Sequence, residues 1–157
     1  MADTRKVDRR NDDQADRLAS LYGLTPKVES AIVDAVQSGA VQRLRTLVAP
    51  LHPADQADLI ERLPLEVASK LVCMLGDDLD AEILAHLDEQ TRDDVVEVMG
   101  MAALARQLPD LPTDDALNIV EELEQDDRDD VLAALPAEDR VLVEEGLSFP
   151  EDSAGRL

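Results

Sequence analysis

The chain has 157 residues, 45% of them apolar, only two aromatic (Tyr22 and Phe149), and a formal charge of −21. That is enough aliphatic material for one domain's core, while the excess negative charge excludes nucleic acid and anionic membrane as partners. No apolar run exceeds about five residues, against the roughly 18 that span a bilayer, so no direct membrane insertion is expected. The single cysteine, Cys73, excludes an internal disulfide and fits a reducing compartment.

Residues 1–20 are polar, charged and without period, and read as a disordered N-terminal arm with no apolar signal region. Thr25-Pro26 then pairs an N-cap with proline at the first helical position, and Gly39 is a helix stop. This predicts a helix near 26–38 and another near 40–49, ending before Pro50.

From Leu51 the chain repeats every twelve residues: Leu51, Leu63, Leu75, Leu87, Met99, Leu111, Leu123, Leu135, Leu147. Leucine is 24 of 157 residues, so eight leucines in these nine positions exceed chance. Aliphatic pairs precede most of them by three or four residues, as in Leu59-Ile60, Leu71-Val72, Ile83-Leu84, Val95-Val96, Ile119-Val120 and Val131-Leu132, which is one helical face. Breakers or caps follow at Pro64, Gly76, Asp88, Gly100, Pro112 and Pro136. Each unit reads as about eight helical residues and a tight turn. Helices that short need neighbours to cover their stripe. The fold class expected is all-α: a superhelix, or α-solenoid, of short antiparallel helices over residues 21–147, with 148–157 as a connector. Gln107 and Glu144 stand where aliphatics are due, so their units should be less regular.

Charge is unevenly spread. Residues 1–75 hold 11 acids and 10 bases; residues 76–157 hold 25 acids and 5 bases. Part of this is helix chemistry, because carboxylates in a first turn favour the helix dipole. Asp77-Asp78, Asp88-Glu89, Asp114-Asp115 and Glu138-Asp139 read this way. In LEQDDRDDVLAALP, Asp126 or Asp127 would cap and Asp129 and Asp130 would occupy the first turn. One cap per helix would suffice, so the surplus needs another reason. Asp114-Asp115 and Glu138-Asp139 are two units apart and should share one edge, suited to hard divalent cations or a basic partner. His52, His86 and Cys73 read as structural, Cys73 as a core residue. There is no phosphate loop and no nucleophile motif, so no enzyme is expected.

LHPADQADLIERLP at 51–64, DAEILAHLD at 80–88, LPTDDALNIVEEL at 111–123 and LPAEDRVLVEEGLSFPEDSAGRL at 135–157 resemble the cytoplasmic N-terminal domain of MgtE-type magnesium transporters. The resemblance covers residues 45–157. Its most specific pieces are L-H-P-A-D and F-P-E-D-S-A-G. It implies a regulatory domain at the cytoplasmic face of the cell membrane. The partners implied are CBS domains, expected to follow Leu157, and a transmembrane pore of the same full-length protein, which would be a homodimer. It further implies that Mg²⁺ is bound weakly here and shared with the CBS domains, compacting the assembly and closing the pore. The implied metal positions are Glu82, Asp114, Asp115 and Asn118; the last is commonly Asp in the family, and Asn keeps a carbonyl oxygen without the charge. The competing expectation is a protein-interaction scaffold, similar to the superhelices of flagellar motor switch proteins.

Overall fold

A computed structural model describes residues 23–149. The arm expected at 1–20 and most of the connector at 148–157 lie outside the described residues. Every regular element described is helical. Thr25 Oγ1 accepts the Val28 N–H at 3.2 Å and opens α1, Pro26–Ser38. Gly39 closes it at φ 69°, and the Ala40 N–H returns to Ala35 O at 2.9 Å, as the sequence predicts. There follow α2, Val41–Val48; α3, Pro53–Arg62; α4, Leu65–Leu75; a 3₁₀ turn, Gly76–Asp78; α5, Ile83–His86; α6, Glu89–Met99; and α7, Met101–Gln107. A second 3₁₀ turn, Leu108–Asp110, leads to α8, Thr113–Glu122; α9, Gln125–Ala134; and α10, Ala137–Leu147.

The twelve-residue leucines mark where helices end. Leu63, Leu87, Leu123 and Leu135 sit one residue past α3, α5, α8 and α9, each extended with ψ near 146°. The next residue, Pro64, Asp88, Glu124 or Pro136, is already the following N-cap. Where that residue is proline, its ring forces the preceding leucine out of helical geometry. The leucine side chain meanwhile drops against the core, Leu87 and Leu135 being buried. Turns this short leave more of the period to the helix, so α3, α4, α6, α8, α9 and α10 run 10 or 11 residues rather than eight.

Most helices pack against the neighbour two along, α2 on α4, α3 on α5, α4 on α6, α7 on α9 and α8 on α10, while α1 rests on α2 and α4, and α6 on α7. This builds the expected superhelix around one continuous aliphatic core that runs from Ile32 to Val143. The doublets fill it, with Leu59, Ile60, Leu71, Val72, Ile83, Leu84, Val95, Val96, Ile119 and Val120 all buried. Each such side chain contributes about 1.5–3 kcal/mol of apolar burial.

Three expectations are corrected. Cys73 is exposed, because α4 buries Ala68, Leu71, Val72 and Leu75 and the next position is turned about 100° away. Asp77 and Asp78 lie in a 3₁₀ turn, not an α-helix, and pair with Arg106 at 3.0 Å and Arg45 at 2.6 Å. In α9, Glu124 is the N-cap and Asp126 and Asp127 are in the first turn, so Asp129 and Asp130 lie a turn further on. The two-residue turn starts the helix earlier than the acid run suggests. The unit of Gln107 is less regular, as expected: α7 has 7 residues and runs into a 3₁₀ turn, and Gln107 itself is buried, with Nε2 donating to Leu79 O at 3.2 Å.

Candidate functional site

Leu111 and Pro112 are extended, and Thr113 starts α8 with no side-chain cap. Asp114 and Asp115 stand in that first turn, where their charges suit this end of the helix dipole. Further along, α8 buries Ala116, Leu117, Ile119 and Val120. That leaves Asp114 and Asn118, four residues apart, exposed on one outward face, with Asp115 half-buried beside them. Glu82 is the exposed residue before α5; its N–H donates to Asp80 Oδ1 at 3.0 Å, and α5 packs against α8.

The structure thus unites Asp114, Asp115 and Asn118 on one helix and puts Glu82 just before a neighbouring one. These are hard oxygen donors, right in kind for a divalent cation. Among the described residues, however, no group of three or more His, Cys, Asp or Glu side chains converges to hold an ion.

Residues 113–147 carry 13 carboxylates against two arginines. Arg128 is committed elsewhere: its Nε donates to Val120 O at 3.0 Å and its Nη2 to Glu121 O at 2.5 Å and Leu123 O at 3.2 Å. The one base inside the acid run is therefore the C-terminal cap of the preceding helix. Glu122 is paired with Arg92 of α6, across the stack. Thr113 of α8 and Asp139 of α10 line one recess. The recess holds about 80 Å³ and is floored by Leu108, Leu111, Leu135 and Val143.

One carboxylate is clearly shifted. Asp88 caps α6, accepting the Thr91 N–H and the Thr91 hydroxyl, both at 2.9 Å. The backbone bond first and the hydroxyl second hold its carboxyl below the usual aspartate range. The Asp88 N–H also donates to Glu61 Oε1 at 2.8 Å, tying α6 to α3.

Sequence reasoning missed two arrangements. His52 is the N-cap of α3, its Nδ1 accepting the Ala54 N–H at 3.2 Å, and its ring stands edge-on to His86 at 6.3 Å between centroids. The His-Pro step before a helix was the available signal for the cap; the ring pairing across 34 residues had none. Arg128 was equally silent, since its partners are backbone carbonyls of another helix. No helix among the described residues is long and apolar enough to cross a membrane.

The sequence pattern of the MgtE intracellular N domain matches residues 51–152. No curated protein matches the chain. Among solved structures, the soluble part of a magnesium transporter superposes with a TM-score of 0.72 at 19% identity, over 83% of this chain and 52% of that one. The cytosolic domain of the Mg²⁺ channel MgtE, in complex with ATP, gives 0.70 at 24%, over 82% and 53%. The chain thus spans about half the length of these solved chains, and the likeness establishes the helical fold.

Proposed function

Since the chain belongs to the MgtE intracellular N domain family, we propose that it is the regulatory, non-enzymatic domain of a magnesium transporter and responds to the Mg²⁺ level at the cytoplasmic face of the membrane. The observation that carries this reading is the outward edge of α8. Asp114, Asp115 and Asn118 stand together there, Glu82 precedes α5, which packs on α8, and none has an ion-pair partner among those described. An edge of unneutralised carboxylates repels another acidic surface. Bound Mg²⁺ would supply two positive charges and demand near-octahedral oxygen coordination. Glu82, Asp114 and Asp115 would donate carboxylate oxygens and Asn118 a carbonyl oxygen. The remaining ligands would come from CBS domains of the same full-length, dimeric protein. Without them these residues repel the CBS acids and favour the separated state; with them satisfied, the population moves to the compact state and a closed pore.

The test is limited proteolysis of the full-length transporter across a Mg²⁺ titration. Asp114→Ala should raise the Mg²⁺ concentration at which the cytoplasmic region becomes protected. Asn118→Asp should lower it, by adding an anionic donor one helical turn away. An unchanged midpoint in Asp114→Ala would overturn the reading and leave a scaffold that docks partners without regard to the ion.

A further inference from the structure

A stack of helices in which most lean on the neighbour two along ends on a helix with one face uncovered. In α10 only Val143 and Gly146 are buried. Val141 and Leu142 are 59% and 61% exposed, and Phe149, whose N–H closes a turn onto Gly146 O at 3.2 Å, is 39% exposed. Phe149 lies just past the end of α10 at Leu147. Leu142 also lines the recess floored by Leu108, Leu111, Leu135 and Val143. Glu138 and Glu145, at four before and three after Leu142, share its face of the helix.

We infer that the α10 face is a docking surface for a short amphipathic helix with basic flanks, contributed from outside these 157 residues and placing one aliphatic side chain in the recess. The charge selects this occupant. An anionic membrane is repelled by an acidic rim. A second copy would bring Glu138, Glu145 and their neighbours against themselves. The chain's own residues 150–157, PEDSAGRL, offer one large apolar residue and two further acids, too little to cover three exposed hydrophobes. A basic amphipathic helix satisfies both the exposed apolar residues and the carboxylates among them, in the helix-in-groove manner. The surface differs from the α8 edge and stands without the magnesium reading.

The experiment uses a synthetic 14-residue amphipathic peptide of leucine and lysine, and its leucine–glutamate counterpart, titrated into the 157-residue protein by calorimetry. The leucine–lysine peptide should bind and the leucine–glutamate peptide should not. Leu142→Glu separates docking from mere attraction, because an added carboxylate strengthens a purely Coulombic association yet blocks an apolar one. Leu142→Glu should weaken binding about tenfold or more, as loss of a central anchor does. Leu65→Glu, at an equally exposed leucine elsewhere, should leave it unchanged or tighter. Leu142 is exposed, so the variant should fold, which an unchanged helical circular dichroism spectrum will verify. Equal or tighter binding by Leu142→Glu, equal weakening by Leu65→Glu, or a dimer of the free chain that Leu142→Glu dissolves would each overturn the proposal.

Discussion

At the scale of single residues, small contacts decide what each position tolerates. A methyl group added at Gly146 would stand 2.7 Å from both Leu117 methyl carbons, and Leu117 is itself fully enclosed. Helix propensity favours alanine over glycine by up to about 1 kcal/mol, but overpacking costs about 1–3 kcal/mol. Gly146→Ala should therefore destabilise the chain by about 1 kcal/mol, read as a lower urea midpoint. Asp88 gives a pH dependence whose sign follows from its lowered folded pKa. Its cap contributes stability above about pH 4, the unfolded aspartate value, and loses it as pH falls through the folded value. The stability gap between wild type and Asp88→Ala should be constant near neutrality and shrink below about pH 4; a gap that widened in acid would refute the assignment.

At the scale of elements, most of the helices were legible because their punctuation is local. Thr25-Pro26, Gly39, Pro64, Gly76, Gly100, Pro112 and Pro136 act through φ, missing N–H groups or near-neighbour caps, and all mark real ends. The start of α9 was misplaced because its cap, Glu124, makes no side-chain cap bond and Arg128 acts on a different helix. Cys73 was misplaced because its apolar neighbours straddle the faces of α4. Of the candidate site, the shared face of Asp114 and Asn118 follows from their spacing. The nearness of α5, which brings Glu82, depends on stacking that no local pattern encodes. Leu87→Ala, at a buried helix end, should cost about 2–5 kcal/mol in denaturant unfolding. Arg128→Ala should cost less but loosen the α8–α9 junction, seen as faster amide exchange at Leu123 through Asp127.

At the scale of the whole molecule, the charge asymmetry sets the response to salt. Ion pairs among the described residues engage Arg45, Arg62, Arg92 and Arg106, while 13 carboxylates from residue 113 to 147 face two arginines. Self-repulsion on this scale opposes compaction. Millimolar MgCl₂ should therefore raise the thermal midpoint of the 157-residue chain, more than NaCl of equal ionic strength. Calorimetry on the same chain should reveal no tight saturable site, since the oxygen donors among the described residues do not converge. A stoichiometric site of high affinity would contradict shared coordination.

Stacking on the neighbour two along also fixes how the molecule comes apart. Because the strongest helix pairings join neighbours one or two along the chain, loop closure is cheap and folding should be fast, in the range of local-contact helical proteins. The two ends are not equivalent as exits. α1 buries Ile32, Ala35 and Val36, whereas α10 is held by Val143 and Gly146. Peeling should begin at α10, then release α9 and α8, giving a ladder of hydrogen-exchange rates that falls from the C-terminal helix toward α3 and α4. The edge bearing Asp114 would then reside in the part of the stack most easily loosened, where holding it in place is itself a conformational restraint that a partner could impose.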